Sequence, residues 1–164
     1  MKRGYDMEDL KELQKKCAEQ EERYQFSSFS REDAWRLGEM LVDAAKGYDG
    51  GVAVGIVQNG LKVFQFVTEG ATRHNTQWLD RKVNLVTQFH KSSLHVYTDF
   101  ELKGITLEGE RLDPMDFAMC GGGFPLTIKG VGVVGAIAVS GLPHLEDHQV
   151  IIDALQKWFS TAES

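Results

Sequence analysis

Asn59-Gly60 lies between two β-rich runs, Val52–Val57 and Leu61–Val67. That dipeptide restricts the fold more than any other feature of the chain. Asn and Gly both accept positive φ, as the two central positions of a type I′ turn demand, so the segment predicts a tight β-hairpin. The first run is apolar on both faces, as in a central strand. The second carries Lys62 near the turn and is interrupted by Gln65. A second pair of runs, 117–128 and 131–140, brackets Lys129-Gly130 and predicts a second hairpin.

Helical patterns surround these hairpins. Residues 7–24 carry Leu10, Leu13 and Cys17 three and four apart, a narrow apolar stripe on a highly charged segment. Phe26–Ser30 breaks that helix. Ser30, with Asp33 three positions on, has capping-box spacing and predicts a helix over 31–47 with Ala34, Leu37, Leu41 and Ala44 on one face. A long helix over 75–97, capped by Asn75 or Thr76, follows from Trp78, Leu85, Phe89 and Val96. Residues 104–114 predict a short edge strand. Pro143 opens a last helix with Ile151, Leu155 and Trp158 on one face. The order α-α-β-β-α-(β)-β-β-α predicts an α+β domain: one antiparallel sheet with helices covering its faces. It divides into an N-terminal solvated helix or arm, 1–25, and a single domain, 26–164.

The charge balance narrows the partners. Eighteen basic residues against 24 acidic ones give −6. That disfavours nucleic acid, whose binding needs a basic stripe, and disfavours anionic lipid. No apolar run approaches the ~20 residues of a membrane span, and the Met1–Asp6 start has no signal-peptide core. Cys17 and Cys120 form no CxxC pair, so buried free thiols in a reducing cytoplasm are expected.

Four segments hold the candidate chemistry. Gly130–Gly135 matches GxGxxG, but it runs on into a strand rather than a helix, which removes the dinucleotide reading. Gly121-Gly122-Gly123 with Phe124 is either a nest of N–H donors for an anion or a glycine-rich turn entering a strand. Cys120 beside it lacks any nearby His by spacing and reads as an inert thiol. His144 and His148 stand one helical turn apart; they either hold a metal or belong to a helix start capped by Glu146 and Asp147. Arg81 and Lys82 form a basic pair that can hold an anionic ligand or simply be solvated. His74, His90 and His95 are scattered on or near the same helix. Because strands 124–128 and 132–140 run in opposite directions, the triglycine and the last helix's N-terminus converge at one edge. An anion or carboxylate, or a metal bridged by His144 and His148, is expected there.

The C-terminal half, GGGFPLTIKGVGVVGAIAVSGLPHLEDHQVIIDAL over 121–155, resembles the GlcG/HbpS-like superfamily, also called the DUF336 or haem-degrading domain. Within it, Glu146-Asp147-His148 and the stretch WLDRKVNLVTQFHKSS (78–93) are most similar to the UPF0303 branch. The resemblance implies a profilin-like or PAS-like α/β/α sandwich with a five-stranded antiparallel sheet. It also implies homo-oligomers, and haem or a related tetrapyrrole as a ligand whose degradation the protein assists. On that reading a neutral His ligates the iron and Arg81 or Lys82 holds the propionates. The alternative is a non-enzymatic homo-oligomeric scaffold or adaptor, chaperone-associated, with the N-terminal helix as its handle. No nucleophile and base declare themselves for a catalytic reading.

Overall fold

A computed structural model describes residues 4–161; the Met1–Arg3 start lies outside the described residues. The elements are α1 (Met7–Arg23), α2 (Arg31–Ala45), β1 (Ala53–Gln58), β2 (Leu61–Val67), α3 (Arg73–Phe89), α4 (Ser93–Lys103), β3 (Gly123–Ile128), β4 (Gly132–Ser140) and α5 (His144–Thr161). Both hairpins form. Asn59 and Gly60 take φ of 52° and 82°, and β1 pairs antiparallel with β2 with a bulge near Val63. β3 and β4 pair antiparallel across the Lys129-Gly130 turn, with Val131 outside the strand at the tip.

The sheet order is β2-β1-β4-β3, four strands rather than the expected five. The fifth position is a single bridge: Phe26 donates its N–H to the Thr127 carbonyl and accepts from Lys129 N–H, both at 2.8 Å. Polar Ser27 and Ser28 then carry the chain away. The strand expected over 104–114 is also absent. Its backbone closes on itself in local turns, such as Leu112 N–H to the Leu107 carbonyl, over a small cluster of Leu85, Val96, Phe100 and Leu107.

Ser30 and Asp33 form the reciprocal capping box read from their spacing. The helix expected over 75–97 is two. It begins at a different cap, Thr72, boxed with Asn75. It ends at His90, whose φ of 58° is left-handed, and Ser92 then caps α4 by accepting from His95 N–H.

Alternation along the strands sorts the two faces. Val54, Ile56, Phe124, Leu126, Ile137 and Val139 face α2 and α5, where Leu37, Leu41, Ile151 and Leu155 complete the main core. The opposite face is small: Ala53, Gly55 and Ala138 let α3 lie close, with Leu79 against them. Each large core side chain contributes roughly 1.5–3 kcal/mol by leaving water. α1 packs on α4, tied by Glu21 to Ser92 N–H and His95, and by Gln14 to Asp99.

Candidate functional site

β4 runs through the middle of the sheet beneath α3. Where it ends, Gly141–Pro143 turns the chain into α5, beside the first turns of α3. Two helix N-termini therefore meet at this end of the sheet. The first turn of α3 has no acidic residue to offset its positive end; Arg73 and His74 stand there instead.

A buried pair forms the floor. Lys82 Nζ donates to Asp147 Oδ2 at 2.9 Å and to the Val139 carbonyl at 2.8 Å. Both side chains are 3% exposed. Leu142 N–H donates to the other Asp147 oxygen at 3.0 Å. Burial pushes the Asp147 carboxyl above its usual range, while Lys82 and the Leu142 and Gly141 amides pull it down. These contacts all come from donors, which fits the ionised form. Lys82 is thus not the open cation expected for a ligand: the anion it holds is the protein's own. Arg81, one residue earlier, points elsewhere. Its Nε donates to the Met115 carbonyl at 2.9 Å and its guanidinium lies over Trp78 at 4.9 Å.

The triglycine and the α5 N-terminus do come together, through Gly121 N–H and His144 Nδ1 at 2.9 Å. The glycines do not make an open nest, however. Gly121 N–H goes to His144 and Gly123 N–H to Ser93 Oγ, so neither is left for an anion. Close packing explains the glycines. At Gly122, with φ of +119°, an added Cβ would lie 2.5 Å from both Lys82 Nζ and the Val139 carbonyl. Phe124 is fully buried in the core.

The two imidazoles have separate roles. Because His144 Nδ1 accepts from Gly121, the neutral ring carries its proton on Nε2 and offers a donor there, not a lone pair. Burial, then the Lys82 charge, lower the His144 pKa and hold it neutral. His148 is 4% exposed. Its Nε2 meets Gln20 Oε1 at 2.7 Å, and its Nδ1 has no partner among the described residues. Burial lowers its pKa to about 4, helped by His144 and Lys16. No group of three His, Cys, Asp or Glu fit for a metal occurs among the described residues, whereas protein-held zinc needs three or four such ligands. His144 Nδ1 and His148 Nε2 are taken up by different partners, Gly121 and Gln20.

Above the floor lies an open pocket of about 310 Å³, walled by His74, Asn75, Trp78, Cys120 and His144. Asn75 Oδ1 accepts from Thr72 N–H in the cap, which leaves its amide N–H₂ as a donor. His74 Nε2 accepts from Trp78 Nε1 at 3.3 Å. Burial raises the Cys120 pKa against the pull of Lys82, so it is a thiol rather than a thiolate. Sequence reasoning missed His74, Asn75 and Trp78 as a wall. The acid-free Thr72–Asn75 helix start was the available signal. A second groove of about 530 Å³, between the β1–β2 tip and α3, holds Val57, Val83 and His90 with the Lys62–Asp80 pair on its rim.

One antiparallel sheet with helices on both faces, and a polar pocket where α3 and α5 begin, defines a single-sheet α+β domain. The model of the haem degrading protein HbpS-like family matches residues 29–156. The chain belongs to the HbpS-like family. It is 42% identical to a UPF0303 protein of Streptomyces coelicolor over 85% of this chain and 89% of that one. It is 39% identical to a UPF0303 protein of Rhizobium rhizogenes over 85% and 86%. Among solved structures, the Ybr137w protein superposes with a TM-score of 0.84 at 24% identity, covering 96% of this chain and 95% of that one. The PduOC:heme complex gives 0.67 at 21%, covering 79% and 94%. Among the described residues no helix is long and apolar enough to cross a membrane.

Proposed function

We propose that this chain binds a haem-class tetrapyrrole by a propionate carboxylate, in the pocket where α3 and α5 begin. The observation that carries the reading is the His144–Gly121 hydrogen bond. It fixes His144 as an N–H donor, beside the Asn75 amide and the acid-free N-terminus of α3. Such a pocket favours a carboxylate and gives iron no imidazole lone pair at His144. Trp78 supplies an apolar flank. The ligand class is supported by the family description and by a relative solved as a haem complex. A part in haem breakdown would be that of holder, since Cys120 is protonated and buried Lys82 is engaged.

The scaffold reading through α1 has less support. Leu10 and Cys17 of its apolar stripe are already buried within the chain.

Titration with haemin and with iron-free protoporphyrin IX tests the proposal. Both should bind, with dissociation constants within about threefold of each other. His144→Ala should weaken both by about tenfold, roughly 1.4 kcal/mol, and His90→Ala neither. Haemin binding without porphyrin binding, or an indifferent His144→Ala, would overturn it.

A further inference from the structure

α2 and β2 enclose a groove of about 620 Å³. Phe64 and Phe66 pair across from Ile56 and Val54, so their side chains share the face of the sheet that those two turn towards α2. Phe64 lies against the helix at Gly38, where an added Cβ would collide with its ring. A glycine inside a helix costs about 1 kcal/mol relative to alanine, and here it seats that ring. Trp35, one turn earlier, meets Phe64 edge-on with centroids 5.9 Å apart. Trp35 and Phe66 are 58% and 50% exposed, the only exposed aromatic side chains among the described residues.

Negative charge stands beside the rings. Glu39 and Asp43 follow Trp35 by one and two helical turns on the same face, and both line the groove, whose walls hold no basic residue. Glu39 enters no hydrogen bond or ion pair among the described residues. Asp43 meets Lys46 at 3.3 Å, an exposed contact on its own helix that is worth little. The neighbouring cations are engaged elsewhere: Arg36 lies over Trp158 at 5.1 Å, and Lys62 pairs with Asp80 of α3 at 3.2 Å. We propose that this groove binds a small organic ammonium ion, with its substituents against Trp35 and Phe66 and its charge next to Glu39. Aromatic faces attract such cations through the ring quadrupole, and a carboxylate one turn away adds to that pull. Trp35 to Asp43 covers about 12 Å of helix, the length of a small molecule.

Titration of the full chain at constant ionic strength with choline, and with its uncharged isostere 3,3-dimethylbutan-1-ol, tests this. The readout is ¹H–¹⁵N NMR of the three tryptophan indoles, with Trp35→Leu assigning the Trp35 signal. Choline should move that signal saturably and leave Trp78 and Trp158 in place. The alcohol should bind more weakly by about fivefold or more, and Glu39→Gln and Phe66→Leu should each weaken choline by about threefold. Asp80→Asn, which removes an exposed carboxylate outside the groove, should change nothing. Thermal melts of each variant separate misfolding from lost binding, and the comparison of choline with the alcohol on the wild type keeps the test decisive if a variant fails to fold. A saturable shift at Trp78 instead of Trp35, no saturable shift at all, equal binding of the alcohol, or an indifferent Glu39→Gln would overturn the proposal.

Discussion

Lys82 and Asp147 stand 65 positions apart and meet at 2.9 Å in the interior, where α3 crosses the end of β4 and the start of α5. Their pairing joins the two helices whose N-termini frame the pocket. It also places a fixed, self-neutralised floor beneath whatever binds there.

Removing one partner should cost more than removing both charges. Lys82→Met leaves a buried carboxylate without its cation and should destabilise by about 3–5 kcal/mol. Adding Asp147→Asn, which keeps an acceptor for Leu142 N–H, should recover at least half of that loss. Urea denaturation of the two variants measures this. A double variant no more stable than Lys82→Met would mean that the ion pair is not the main support.

Gly122 and Gly130 both have positive φ but differ in surroundings. At Gly130 no atom lies within 4 Å of an added Cβ; at Gly122 Lys82 Nζ and a backbone oxygen do. Gly130→Ala should therefore cost about 1 kcal/mol, the left-handed strain alone. Gly122→Ala should cost about 3 kcal/mol or more, since β4 must move. Similar melting temperatures for the two would contradict the close-packing account of the triglycine.

His148 gives a pH signature. Its folded pKa is about 4 against an ordinary 6.5, so the unfolded chain binds the proton more readily. The stability from keeping the ring neutral is complete above pH 6.5 and drains away as pH falls towards 4. The loss is on the order of 3 kcal/mol over that window. His148→Gln should flatten the stability profile between pH 6.5 and 4. An unchanged slope would place the titration on another group.

Features closed by neighbours in sequence were legible in advance. The Ser30–Asp33 box and the Asn59-Gly60 hairpin need only residues a few positions apart. The helix break at His90 was hidden because Leu85, Phe89 and Val96 keep helical spacing across it, although Ser92 and Ser93 mark the new cap. Lys82 looked like a solvated cation because its partner lies on another helix, and Phe124 looked like part of a ligand loop because its burial depends on α5. The meeting of Gly121 with His144 followed from hairpin geometry. That His144 would accept that N–H, and so become a donor, depends on side-chain orientation, which spacing does not encode.

Histidine side-chain ¹⁵N NMR at neutral pH measures the His144 tautomer directly, and the pocket's chemistry rests on that tautomer. The account predicts a neutral ring protonated on Nε2, with Nδ1 bare towards Gly121 N–H. A ring protonated on Nδ1 and bare on Nε2 would make His144 a metal-type ligand and contradict it.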